Sequence, residues 1–282
     1  MIDEKSIYVI CEKYRNGFSS GRIAKEFNTY KHKILKILRD NGVEIRNNSD
    51  CQRKFKIDED FFNSIDTEEK AYWLGFISGD GNVGRNNNLL TISLSRLDKK
   101  HLIKFKNDIK SEHKILDISS FDKRRNKFDL KSIFAVSSLK IKNALINLNV
   151  SPDKSNFLNS YKYVPNDLLR HYWRGFIDAD GCIQFKEGRR WVIGITGLKN
   201  ICEEFSYFIK NSLKLKTIPS SHEDKRSKGL FELRFRGNVI SGKVCELLYE
   251  NSVVFLERKR ELAKKAIENA KGRIIRRDKY EI

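Results

Sequence analysis

Two aspartates occupy the same place in two copies of one phrase. Residues 72–81 read YWLGFISGDG and residues 172–181 read YWRGFIDADG, with seven of ten positions identical and a glycine after both Asp80 and Asp180. Such a repeat marks two copies of one supersecondary unit. The phrase predicts a helix. Asp66-Thr67-Glu68-Glu69 offers an N-cap with a Glu three residues on, and Pro165-Asn166-Asp167 offers a comparable start. Gly81 and Gly181 fall where a helix ends in left-handed backbone. Gly75 and Gly79, matched by Gly175 and Ala179, put small residues four apart, so two such helices can approach closely. Their C-terminal ends would then bring two carboxylates together, against both the helix dipoles and their mutual repulsion. A divalent cation bound by hard oxygen ligands relieves that conflict. The alternative, that each Asp-Gly only stops a helix ahead of a turn, weakens when both copies carry the same aromatics.

The two phrases resemble the LAGLIDADG motif of homing endonucleases, whose conserved acid falls at Asp80 and Asp180. Ser78 departs from the motif where its first acid is expected, and Asp178 keeps it. The resemblance spans roughly residues 67–265. It implies an α+β fold of two pseudo-twofold-related αββαββα repeats forming a saddle across DNA. It also implies Mg²⁺ (or Mn²⁺) held by Asp80 and Asp180 with the carbonyls of Gly79 and Ala179. A basic residue follows the last helix of each repeat in this family, often in G-[IVL]-x-P-x-K-S. Val150 to Ser155 fits that phrase and Phe255 to Lys259 a divergent form, so Lys154 and Lys259 are the implied catalytic lysines and Arg258 the near neighbour. The family's solvent-positioning residue falls near Arg96 in one repeat and Gly197 in the other. The activity implied is metal-dependent cleavage of double-stranded DNA at a long non-palindromic site, leaving 3′ overhangs. The same fold also serves, without cutting, as an RNA maturase for group I introns or as a DNA-binding regulator, so intron RNA is a second implied partner. With both copies in one chain, the expected state is a monomer.

Composition agrees with a polyanionic partner. The 282 residues carry 56 Lys+Arg against 37 Asp+Glu, a formal net charge of +19. Five cysteines, odd in number and without CxxC spacing, argue against a disulfide framework or a zinc ribbon and for a reducing, intracellular compartment. No apolar run has membrane-spanning length and no signal-peptide core is present.

The elements that must position the carboxylates follow in order. Residues 1–48 predict three short helices: one over Ile7–Tyr14, a second capped by Ser19 or Ser20, and a third over Tyr30–Leu38 with Lys31, His32, Lys33 and Lys36 opposite its apolar face. This resembles the helix-turn-helix domains of recombinases and transposases; a protein-docking bundle is the alternative. Residues 49–66 show little periodicity and predict a linker, residues 67–160 the first repeat, and residues 161–282 the second with a basic tail. Alternation at Leu90, Ile92 and Leu94 against Thr91, Ser93 and Ser95 predicts a half-buried strand after Asn82–Arg85. Further strands are expected near 114–120, 128–137, 182–186, 191–196, 216–220 and 230–236, with helices over about 98–109, 139–148 and 200–213. One face of each sheet should meet helices and the other should be strongly polar, ready for the DNA major groove. The candidate DNA-contacting residues are Asn82, Arg85, Thr91, Ser93, Ser95 and Arg96 in the first repeat. In the second they are Gln184, Lys186, Arg190, Thr196, Glu232, Arg234 and Arg236.

Overall fold

The computed structural model describes residues 3–16, 18–45, 55–122, 126–152, 159–186, 190–224 and 228–278. The chain divides into two units, Met1–Lys56 and Ile57–Ile282. In the first unit, α1 (Glu4–Arg15), α2 (Ser20–Glu26) and α3 (Lys31–Asp40) enclose Ile10, Tyr14, Ile23, Ala24, Ile34 and Leu38. Each of the first two begins on a side-chain cap: Asp3 accepts from the Ser6 amide at 2.8 Å and Ser19 from the Arg22 amide at 3.2 Å. Asn28, at φ 47°, turns the chain between α2 and α3.

The second unit is built on two buried helices, α4 (Glu68–Asp80) and α7 (Leu169–Asp180), which pack on each other. Residues 71–78 and 171–178 are buried throughout, because each helix has its partner on one side and its own repeat on the other. The small residues permit the contact: a Cβ on Gly75 would stand 2.0 Å from the Tyr72-equivalent carbonyl of the other repeat, Tyr172 O, and a Cβ on Gly175 2.0 Å from Tyr72 O. After α4 come β1 (Gly81–Val83), β2 (Leu89–Ser95), α5 (Lys99–Asp108), β3 (Ile115–Asp122), β4 (Lys127–Ser137) and α6 (Leu139–Asn147). After α7 the order recurs as β5 (Cys182–Lys186), β6 (Arg190–Gly197), α8 (Lys199–Ser212), β7 (His222–Glu223), β8 (Phe231–Arg236) and α9 (Asn238–Tyr249), followed by α10 (Glu257–Asp278). Each repeat is therefore αββαββα, with antiparallel sheets ordered β1-β2-β4-β3 and β5-β6-β8-β7. A matching aromatic relay runs from each central helix to its sheet: Trp73–Phe105–Phe134 and Trp173–Phe205–Phe235.

Several expectations change. Thr67, not Asp66, caps α4, its hydroxyl accepting from the Lys70 amide at 3.4 Å, while Asp66 pairs with the Lys70 ammonium at 2.7 Å. Gly81 and Gly181 have φ of −72° and −81°, so they are not left-handed caps. Glycine is required there because the chain leaves the helix straight into a strand: a Cβ would lie 2.7 Å from Ile77 O or from Ile177 Cα. The strand expected over 216–220 is found at His222–Glu223. Pro219 lies in the earlier stretch and has no N–H to give a ladder. Residues 57–65 are not a tether, since Phe61, Phe62 and Ile65 are buried in the core. The segment from 271, read from sequence only as a basic tail, continues α10 as far as Asp278. The outer face of the first sheet is less polar than expected, exposing Leu116 and Ile118.

Candidate functional site

The close packing of α4 and α7 sets the position of both carboxylates. Gly79 and Ala179 meet where the helices end: a Cβ on Gly79 would stand 2.5 Å from Ala179 Cβ and 3.1 Å from Asp180 Oδ2. Asp180 thus lies against the end of the opposite helix, and Asp80 and Asp180 are both exposed at the last position of their helices. Among the described residues no group of three or more His, Cys, Asp or Glu side chains gathers to enclose a metal. Two carboxylates with adjacent main-chain carbonyls are nonetheless a donor set of the kind Mg²⁺ accepts, since that ion keeps several waters and binds through one or two carboxylates plus substrate phosphate.

Lys259, on the first turn of α10, is 4 % exposed, and its ammonium is spent on the end of α7. It donates to Ile177 O, to Asp178 O at 2.8 Å, to Gly181 O at 2.9 Å and to Ala179 O at 3.4 Å. The Asp178 and Ala179 carbonyls are among those a helix C-terminus leaves without intrahelical partners, whereas Ile177 O also accepts from the Gly181 amide at 3.0 Å, and a cation there also suits the dipole. Burial pushes the Lys259 pKa down to about 8, opposed by the charges of Asp178, Asp80 and Asp180. Replacing Lys259 with methionine should destabilise the second unit by about 2–4 kcal/mol, because the Asp178 and Gly181 carbonyls lose their donor. Chemical denaturation of the two proteins measures this, and an unchanged midpoint would show that the cap is dispensable. Lys154, the counterpart expected in the first repeat, lies outside the described residues. Arg258 instead pairs with Asp98 at 2.9 Å.

Beneath the carboxylates lies a polar network that crosses between the repeats. Asp178 is 1 % exposed and accepts from Tyr72 Oη at 2.6 Å, Tyr249 Oη at 2.6 Å and the Leu256 amide at 2.7 Å. Burial raises its pKa, against the charge of Lys259 and these three donors. With the Tyr72 proton given to Asp178, His101 Nε2, 2.9 Å from the same phenol oxygen, acts as donor. Burial, with the charges of Lys104 and Arg258, lowers the His101 pKa to about 3 and keeps the ring neutral. The opposite half uses hydroxyls: Ser78 Oγ, Ser160 Oγ and Tyr172 Oη form a chain of 2.8 Å bonds.

A second asymmetric cluster joins α4 to α7. Arg174, fully buried, donates to Glu68 Oε1 at 2.6 Å, Leu248 O at 2.9 Å and Val254 O at 2.8 Å. Glu68 also accepts from the amides of Val253 and Val254 and lies 3.4 Å from His171 Nδ1. Burial would raise the Glu68 pKa, but His171, Arg174 and the two amides outweigh it and hold it at about 2. Sequence reading passed over Glu68, His171, Arg174, Tyr72 and Tyr249. A signal was present: His171, Arg174 and Asp178 lie three and four apart on one helical face where the first copy has Ala71, Leu74 and Ser78.

The candidate nucleic-acid contacts separate into groups. Lys31, His32, Lys33 and Lys36 are exposed on α3, opposite buried Ile34 and Leu38. On the sheets and the turns beside β2, Asn82, Arg85, Ser93, Ser95, Arg96, Lys186, Arg190 and Arg236 are exposed, while Thr91 and Gln184 are half-buried. Arg96 lies 3.7 Å from Asp117. Thr196, Glu232 and Arg234 bind each other: the guanidinium donates to Thr196 Oγ1 at 3.0 Å and lies 2.7 Å from Glu232, folded over Gly194. Gly197 closes β6 with no side chain to offer.

No family model matches the chain, and no curated protein does. Solved structures do. The N-terminal LAGLIDADG domain of DUF199/WhiA is 12 % identical, with 73 % of this chain and 93 % of that one covered at a TM-score of 0.43. The homing endonuclease I-WcaI bound to its DNA recognition sequence is 13 % identical, covering 75 % and 90 % at 0.44. Mesophilic variants of the homing endonuclease I-DmoI are 18 % identical, covering 66 % and 97 % at 0.42.

Proposed function

We propose that this protein is a site-specific, metal-dependent double-strand DNA endonuclease. The observation that carries the reading is the meeting of two Asp-Gly helix ends, with Asp180 Oδ2 3.1 Å from the position of a Gly79 Cβ. Asp80 and Asp180, with the Gly79 and Ala179 carbonyls, would hold Mg²⁺ or Mn²⁺. When bound, such ions activate water and stabilise the charge on a leaving 3′ oxygen. The chain's own residues do the rest. The α4–α7 contact fixes the separation of the carboxylates, Lys259 holds the end of α7 in place, and the polar residues of the two outer sheet faces grip the duplex. Lys154 is assigned the task of stabilising charge on the phosphate. The first unit adds a basic helix, α3, for a helix-turn-helix contact with DNA. Because the repeats differ in sequence, the target is long and non-palindromic, cut to leave 3′ overhangs.

One observation favours a second reading. The Lys259 ammonium is committed to main-chain carbonyls, so one expected catalytic amine faces the protein. A protein of this architecture that binds DNA as a regulator, or group I intron RNA as a maturase, would need no such amine. Incubating the full chain with a randomised duplex library, with Mg²⁺ or with EDTA, separates the two. Metal-dependent ends bearing 3′ overhangs support the nuclease; tight binding with no ends under any divalent metal supports the binder.

A further inference from the structure

The two outer sheet faces differ in chemistry as well as in sequence. Cross-strand pairs share a face, and the first sheet's outer rows read Asn82–Thr91–Ala135, Ser93–Ile133–Leu116 and Ser95–Lys131–Ile118. Their neighbours Leu90, Ile92, Leu94, Phe134 and Val136 point the other way, into the core. Leu116 is 61 % exposed and Ile118 39 %, and both flank half-buried Ile133. In these three rows only Lys131 is charged, and the next row on the same face carries Asp129. The second sheet's rows read Lys186–Arg190, Gln184–Val192–Arg236, Cys182–Gly194–Arg234 and Thr196–Glu232–His222, with Arg236, Lys186 and Arg190 exposed.

An aliphatic cluster on a polar face, bordered by Thr91, Ser93 and Ser95, matches one feature of the major groove. Thymine presents a C5-methyl group there, which apolar side chains contact, while guanine and adenine present acceptors that Arg, Lys and Gln bind. Resting on the DNA reading above, we infer that the first repeat selects thymine-rich sequence through Leu116, Ile118 and Ile133. The second repeat selects purine edges through Gln184, Arg190 and Arg236. The cluster also distinguishes DNA from RNA, since uracil lacks the methyl group.

The test uses a duplex recovered by the full chain from random-sequence DNA. The half bound by the second repeat is the one whose base preference is lost in Arg236→Ala. Thymidines are then replaced by deoxyuridine in one half at a time. Affinity should fall about fourfold per contacted methyl in the first repeat's half, the transfer value of one buried methyl-sized group, and by less than about twofold in the other. Leu116→Ser/Ile118→Ser, at exposed positions, should fold normally and lose most of the difference between the thymine and uracil duplexes, leaving only the share owed to Ile133. Specific binding with no uracil effect in the first half, or equal effects in both halves, overturns the inference and leaves the DNA reading standing. Failure to recover any preferred duplex overturns both.

Discussion

Alanine at Gly175 is expected to destabilise the second unit by more than about 4 kcal/mol. Helix propensity argues the opposite way, since alanine is favoured over glycine by about 1 kcal/mol. Packing decides. The added Cβ would stand 2.0 Å from Tyr72 O and 2.9 Å from the Phe76 amide nitrogen, both backbone atoms that no rotamer change can move. The helices must separate, and with them the aromatic core on either side. Gly272→Ala on α10, where nothing lies within 4 Å of a Cβ, is the control, and it should be neutral or stabilising by up to about 1 kcal/mol. Denaturant unfolding followed by tryptophan fluorescence reads the difference, because Trp73, Trp173 and Trp191 are all buried in the second unit. A Gly175→Ala midpoint like that of the control would refute the close helix contact.

The Glu68–Arg174 pair carries the second large effect. Glu68→Leu leaves a fully buried guanidinium without its carboxylate, and Arg174→Leu leaves the carboxylate without its cation. Each should cost about 3–5 kcal/mol, since an unpaired buried charge is worse than none. Glu68→Leu/Arg174→Leu copies the other half of the pseudo-twofold arrangement, where Leu168 and Leu74 stand at these positions. The double substitution should therefore cost at least about 2 kcal/mol less than the sum of the singles. Full recovery is not expected, because the Val253 and Val254 amides and the Leu248 carbonyl lose partners as well. Additive losses would show that the ion pair is not a coupled unit. The same cluster gives a pH dependence. The folded pKa of Glu68 is depressed to about 2, so its contribution is complete above the unfolded value near 4.5 and is lost as pH falls toward 2. The acid sensitivity of Glu68→Leu should be correspondingly shallower over that window.

The frame was legible because it is written twice. Small residues at 75, 79, 175 and 179 foretold the helix contact, period-two alternation foretold several strands, and the repeated order foretold Cys182–Lys186 to the residue. What escaped depended on tertiary context. The requirement for Gly81 and Gly181 comes from a steric approach to Ile77 and Ile177, which leaves no mark in local turn chemistry. Phe61, Phe62 and Ile65 lack periodicity, since an irregular segment can fill a core without presenting a regular face. The Lys259 cap looked like a substrate contact because a basic residue after a helix fits either task; its direction is set by α10 and by the burial of Leu256 beside it. The Leu116–Ile118 cluster was concealed because alternation assigns faces but does not say which face a mixed strand turns outward.

The central claim is that Asp80 and Asp180 act as one metal-dependent centre. The decisive measurement is the cleavage rate of the chain's preferred duplex by Asp80→Asn and by Asp180→Asn, with binding of the same duplex measured alongside. Each variant should keep its affinity within a few-fold, yet lose cleavage of both strands by about a thousandfold or more, the scale on which removing a charge-stabilising group acts. Full-rate, Mg²⁺-dependent cutting by either variant would contradict the account.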